Sequence, residues 1–300
     1  MGKRGKKAQA GKAKKITPKE IGKRLDALEK KLEEELKGAD LFAPLPPMND
    51  CPICLLRLSR APDQSCFQVC CGQTVCIGCS GEQTEFISKQ NAQNAGKANK
   101  SHLVKTCPFC REPTPTGDEF LKQIELQASR GDPESCCAMG KAYLYGEYGL
   151  HRNDLRALDY WIRAVELGSA EACATLGIIF EKGVAGLSID KGRAALFDKA
   201  GAILGNVQSR HNIGCVEYFD FGNHELGIRH WKIAAEAGSQ PSLDALKAIY
   251  NADDKEPGKK YISKEDMDRI YRAGHEAQEM VKSEEREKHL DWEDKINLKC

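Results

Sequence analysis

Three hundred residues are enough for about two domains, and 45 Lys and Arg against 44 Asp and Glu leave a formal net charge of +1. Such a balance identifies no acidic partner by itself. No apolar run reaches the length of a membrane span and none forms a leader at the start, which excludes a spanning segment and predicts an intracellular setting, cytoplasm or nucleus, with reduced thiols.

Residues 1–16 read as a basic, disordered tail. Lys3, Arg4, Lys6, Lys7, Lys12, Lys14, Lys15 and Lys19 stand without one acid among the first nineteen residues. Such an arm suits nuclear import or unspecific contact with nucleic acid, as well as simple solvation. An amphipathic helix is expected over 17–38, with Thr17 as cap, Pro18 in the first turn and Glu20 completing a capping box. Ile21, Leu25, Leu28, Leu32 and Leu36 form its apolar stripe, which suits either pairing with a second copy or docking on the chain's own domains. A Pro-rich linker over 39–50 includes Ala43-Pro44-Leu45-Pro46-Pro47.

Nine of the 14 cysteines fall between residues 51 and 110. Cys51/Cys54, Cys76/Cys79 and Cys107/Cys110 are Cys-x-x-Cys knuckles, each spanning about one tetrahedral edge, which is how structural zinc is held. Two pairs complete a site, so three knuckles imply a second Zn2+ ion, with the missing pair drawn from Cys66, Cys70 and Cys71. Between Cys79 and Cys107 a helix is expected near residues 81–90 and a polar loop over 91–100. Pro113 to Gly117 marks a linker.

The second half repeats. Gly131, Gly168, Gly205 and Gly238 recur at steps of 37, 37 and 33, followed four residues later by Ser135, Ala172, Ser209 and Ser242, and then by Met139, Leu176, Ile213 and Leu246. Gly140, Gly177 and Gly214 follow directly, and Lys247 breaks the series. Aromatic-rich second halves end in Trp161, Phe197 and Trp231. The pattern predicts stacked antiparallel helix pairs, with small residues allowing close approach, aromatics filling the gap to the next unit and the terminal glycine ending each second helix. A final helix from Ser263 to about Lys282 is expected to cap the stack, before a charged tail over 283–300. The seven histidines have no metal or triad spacing, and no phosphate loop occurs.

The stretch 51–112 resembles a RING finger of the all-cysteine type. The resemblance implies that Cys51, Cys54, Cys76 and Cys79 hold one zinc and Cys70, Cys71, Cys107 and Cys110 the other, with Cys66 an alternative to Cys70. Cys71-Gly72-Gln73 stands where many members have a histidine ligand after the glycine. The resemblance further implies recruitment of a ubiquitin-conjugating enzyme through Ile53 and Pro108, with Arg111 bridging that enzyme and ubiquitin. Residues 118–282 resemble Sel-one-like repeats, relatives of the tetratricopeptide repeat, as in Ala234-Ala-Glu-Ala-Gly238.

The expected fold is mostly α, a small two-zinc cross-brace module followed by an α-solenoid. The expected function is that of a RING-type ubiquitin-protein ligase or adaptor with no catalytic residue of its own, the repeats engaging a protein substrate. The alternative is a non-enzymatic scaffold.

Overall fold

The computed structural model describes residues 16–60, 64–94, 105–253, 261–281 and 283. The basic run from Lys3 to Lys15, most of the expected loop before Cys107, and the C-terminal tail with Trp292 lie outside the described residues. Among the described residues no helix is long and apolar enough to cross a membrane.

Helix α1 (Pro18–Lys37) begins with the expected capping box: the Thr17 side chain accepts from the Glu20 amide, and the Glu20 carboxylate accepts from the Thr17 amide. Ile21, Leu25, Leu28 and Leu32 are buried. They settle the choice that the stripe left open, because α1 lies across two later helices, α5 (Asp154–Glu166) and α7 (Lys191–Ile203), and joins their core. Two arginine nodes hold its rim. Arg24 pairs with Asp159 and with Glu166 at 3.0 Å, and Arg193 reaches Asp26 at 3.0 Å and Glu29 at 3.2 Å.

A hairpin of β1 (Ser65–Gln68) and β2 (Gln73–Cys76) pairs Cys66 with Val75 and leads directly into α2 (Ile77–Asn94). This helix starts four residues before the expected Gly81 and runs four past Gln90. Its first turn takes in Cys79.

Beyond α3 (Asp118–Ser129) come three helix pairs: α4 (Pro133–Tyr145) with α5, α6 (Ala170–Lys182) with α7, and α8 (Val207–Cys215) with α9 (His224–Glu236). Then α10 (Gln240–Asp253) packs on α9, and α11 (Lys264–Glu279) closes the stack mainly against α9. Two glycine series do different work. Gly131, Gly168, Gly205 and Gly238 adopt φ between 88° and 93°, which a side chain would strain. Each precedes a polar residue. In the first three units that residue caps the next helix: Asp132, Ser169 and Asn206 accept from the amides of Ser135, Ala172 and Ser209.

Gly140 and Gly214 instead make room, because a Cβ there would stand 2.6 Å and 2.5 Å from the indoles of Trp161 and Trp231. Each tryptophan therefore packs within its own unit, where the sequence had suggested the gap to the next one. The shorter third period also has a local cause. Gly146 and Gly183 end α4 and α6 in the left-handed conformation, whereas α8, with Asp220 at the equivalent place, runs into one π-helical turn over Val216–Asp220.

The 39–50 segment is fastened to the solenoid. The fully buried Arg210 donates to the carbonyls of Leu41 at 2.5 Å and Ala202 at 3.0 Å, and the guanidinium of Arg229 lies 3.6 Å from the centre of the Phe42 ring. Arg60, at the end of the first knuckle region, bonds the carbonyls of Pro46 and Gly205. Val69, near the hairpin tip, joins the solenoid core. The cysteine-rich module is thus held from two sides.

Candidate metal centre

The two knuckles that flank the hairpin fold alike. In the first, the Leu55 amide donates to the Cys51 carbonyl at 2.9 Å and the Cys51 amide to the Leu56 carbonyl at 2.8 Å. In the second, Arg111 donates to Cys107 at 3.1 Å and Cys107 to Glu112 at 2.8 Å. Leu55 and Arg111 both take positive φ, 61° and 65°, to close these turns. The backbone then offers amides to sulfur: Cys76 to Cys51, Cys79 to Cys76 and Phe109 to Cys107, each at 3.4 Å.

The hairpin distributes the remaining thiols. Cys70 and Cys71 lie at its tip, and Cys76 ends β2, so a four-residue strand sets the two groups about 13 Å apart. Two quartets result: Cys51, Cys54, Cys76 and Cys79, and separately Cys70, Cys71, Cys107 and Cys110, with all four sulfurs of each within 4.8 Å of one another. Cys66 belongs to neither. It packs instead on the small core of Cys51, Val75 and Cys76.

A zinc tetrahedron with Zn–S bonds of about 2.3 Å has an edge of about 3.8 Å. Four of the sulfur pairs measure 4.0 Å for Cys51 and Cys79, 3.8 Å for Cys54 and Cys76, 3.9 Å for Cys71 and Cys107, and 3.4 Å for Cys70 and Cys110. The donor set suits a soft, tetrahedral cation on both spacing and chemistry. Crowding makes the thiols electrostatically unequal. Burial and neighbouring sulfurs push Cys70 and Cys79 upward, and burial takes Cys71 to about 11. For Cys51 burial also raises the pKa, but the hydrogen bonds from backbone amides outweigh it and bring the thiol down to about 7.

Beside the quartets lies an exposed apolar surface. Ile53, Leu55 and Leu56 in the first knuckle, Phe86 on α2 and Phe109 in the second knuckle are all exposed. Gln83, one turn before Phe86, joins the parts: it donates to Thr106 at 2.9 Å and accepts from Arg111 at 3.2 Å, so that exposed guanidinium is oriented by α2. Pro108, expected at the contact surface, is buried in its loop, and Phe109 stands outward in its place.

Sequence reasoning missed one buried polar site. Trp161, Asp198 and Trp231 occupy the same place in successive units, at steps of 37 and 33, so the middle repeat carries a carboxylate where its neighbours carry indole. Asp198 is buried against Gly177, and Asn212 Nδ2 donates to its two oxygens at 3.3 Å and 3.4 Å. Burial pushes its pKa from 3.8 to about 7, against the hydrogen bonds from Ser209 and Asn212. Aligning the repeats by period reveals the substitution directly.

Residues 133–169 and 213–239 match the family model of the Sel1 repeat. Chitin synthase regulatory factor 1 of Schizosaccharomyces pombe is 32% identical over 119 residues, which are 37% of this chain and 26% of that protein. The ERAD-associated E3 ubiquitin-protein ligase component HRD3A of Arabidopsis thaliana is 32% identical over 66 residues, 22% of this chain and 10% of the relative. The matches thus span about a quarter and a tenth of those two proteins. Among solved structures, a Sel1 repeat protein from Oxalobacter formigenes aligns with a TM-score of 0.46 and 23% identity, covering 56% of this chain and 67% of its own. The helical half of this chain contains Sel1 repeats.

Proposed function

We propose that the chain is a RING-type ubiquitin ligase or ligase component, in which two zinc ions brace a recruiting surface and the repeats engage a protein partner. The observation that carries this reading is the interleaving of the quartets, first and third ligand pairs together and second and fourth together, around the hairpin. Cys51, Cys54, Cys76 and Cys79 would hold one ion and Cys70, Cys71, Cys107 and Cys110 the other. The ions supply structural cross-links, since four thiolates leave no open coordination position for water.

The chain's own residues then act by presentation. Ile53, Phe86 and Phe109 offer apolar area to a ubiquitin-conjugating enzyme, and Arg111, steered by Gln83, offers a fork of donors to the ubiquitin that the enzyme carries. The rate gain comes from holding the thioester close to a lysine of a partner bound on the repeats. The plant relative, itself named as a component of an E3 ubiquitin-protein ligase, supports this assignment. The buried Pro108 favours a second reading, a scaffold whose zinc module only mediates assembly.

Ubiquitin discharge from a panel of charged conjugating enzymes separates the two. Wild-type chain is expected to accelerate discharge with at least one enzyme. Arg111→Ala should slow it about tenfold, the effect of losing a charged hydrogen bond of about 1.5–3 kcal/mol. Excess conjugating enzyme should rescue Ile53→Ala but not Arg111→Ala. No acceleration with any enzyme leaves the scaffold.

A further inference from the structure

One groove is built jointly by the fastened segment, the cysteine module and the solenoid. Its volume is about 1210 Å³, and its apolar walls come from the fastened segment (Leu45), the cysteine module (Ile77), three solenoid helices (Ile178, Val207, Ile233) and the residues after α11 (Met280). Pockets for small molecules run to about 300–1,000 Å³. This one exceeds that range, which suits a length of polypeptide.

Its charges define the guest. The guanidinium of Arg60 is turned onto the carbonyls of Gly205 and Pro46, which fix its position in the wall. The remaining charged lining residues are Glu171 on α6 and Glu236 at the end of α9. Each has only a loose surface partner, Lys141 at 3.6 Å and Arg269 at 3.5 Å. Such exposed pairs contribute about 0–1 kcal/mol and exchange readily. The N-terminal turns of α8 and α10 also border the groove. A helix start carries only about half a positive charge, and Asn206 already takes the Ser209 amide at 2.8 Å. Glu171 and Glu236 are thus the lining carboxylates whose loosely held surface cations a guest's own cations can replace.

We propose that this groove binds an apolar segment of a protein partner that carries Lys or Arg on both flanks, one cation for Glu171 and one for Glu236. The proposal rests on the reading of the repeats as the partner-binding half of the chain and is independent of ubiquitin transfer. The fastening of residues 41–46 by Arg210, Arg229 and Arg60 gives the groove a fixed wall, so a guest meets a largely preformed surface.

A random peptide display library panned on the full, zinc-loaded chain tests this. The expected result is enrichment of peptides with an apolar centre and basic flanks. Their affinity should fall at least about tenfold on Ile178→Asp and on Glu236→Lys, while Ile53→Ala leaves it unchanged. Ile178 and Glu236 are partly exposed, so the variants should keep their helices, which circular dichroism checks. Failure to enrich any peptide, enrichment of acidic peptides, equal binding to Ile178→Asp, or self-association of the chain that Ile178→Asp abolishes would each overturn the proposal. The ubiquitin discharge assay uses none of these variants except Ile53→Ala, so the two readings fail separately.

Discussion

Replacing Asp198 by Asn removes a charge from the middle of the solenoid and leaves the shape almost unchanged. In the folded chain the carboxyl holds its proton up to about pH 7, because burial disfavours the anion, whereas an exposed aspartate loses it near 3.8. The folded state therefore binds the proton more tightly than the unfolded state. The sign follows: as pH rises from about 4 to about 7 the unfolded chain loses this proton first, and folding stability falls. At about 1.36 kcal/mol for each tenfold difference in proton affinity, the loss approaches roughly 4 kcal/mol, before relaxation reduces it.

The neighbours on the packed helices are Glu181 and Cys173 on α6 and Ser209, Asn212 and Cys215 on α8. None is a cation that would rescue the anion. In Asp198→Asn the amide oxygen can still accept from Asn212, and the neutral amide carries no charge that burial would disfavour at any pH. Stability relative to wild type should then be near zero or slightly negative at about pH 4.5 and positive by about 1–3 kcal/mol at about pH 8. Chemical denaturation followed by far-ultraviolet circular dichroism at several pH values measures the difference. A difference that stays constant with pH, or an Asn variant less stable at high pH, would refute the reasoning.

Gly214→Ala should destabilise the third unit by about 1–3 kcal/mol, because the new methyl meets a buried indole whose Nε1 is bonded to the His211 carbonyl at 3.1 Å. Gly177→Ala should cost less, since its Cβ would meet the Asp198 carboxylate at 3.1 Å and not a fixed ring, and thermal melting of the pair checks the order. Leu25→Ala empties a buried site under α1 and should cost about 2–5 kcal/mol. Light scattering should give the same mass for this variant as for wild type; a change from dimer to monomer would mean that the stripe pairs two copies instead of docking.

Much of this architecture could be read from residue spacing. The capping box at Thr17 and the glycine periods are local signals, and local hydrogen bonding or backbone sterics enforce them wherever the helices finally lie. The Cys-x-x-Cys knuckles are local signals too, but their division into quartets came from the resemblance to a RING finger, and spacing alone left Cys66 and Cys70 as alternatives. What stayed hidden depends on contacts distant in sequence. Nothing in Ala43-Pro44-Leu45-Pro46 announces that Arg210, more than 160 residues later, would bury its guanidinium on the Leu41 carbonyl, an interaction at a separation of 169 residues. The stripe of α1 was visible, but its target was not, because apolar periodicity specifies a face and not a partner. Pro108 shows the opposite limit: position within a motif predicted contact, and the fold of the loop decided burial.

Metal stoichiometry tests the central claim most directly. Elemental analysis of the reduced, purified full chain should find two zinc ions per molecule. Cys54→Ser and Cys110→Ser should each weaken one site, while Cys66→Ser, outside both quartets, should keep two ions. Chelation should unfold the module and leave most of the solenoid helicity in place, since zinc binding supplies much of the folding free energy of such small modules. One ion in wild type, none, or loss of an ion on Cys66→Ser would contradict the cross-brace on which the account stands.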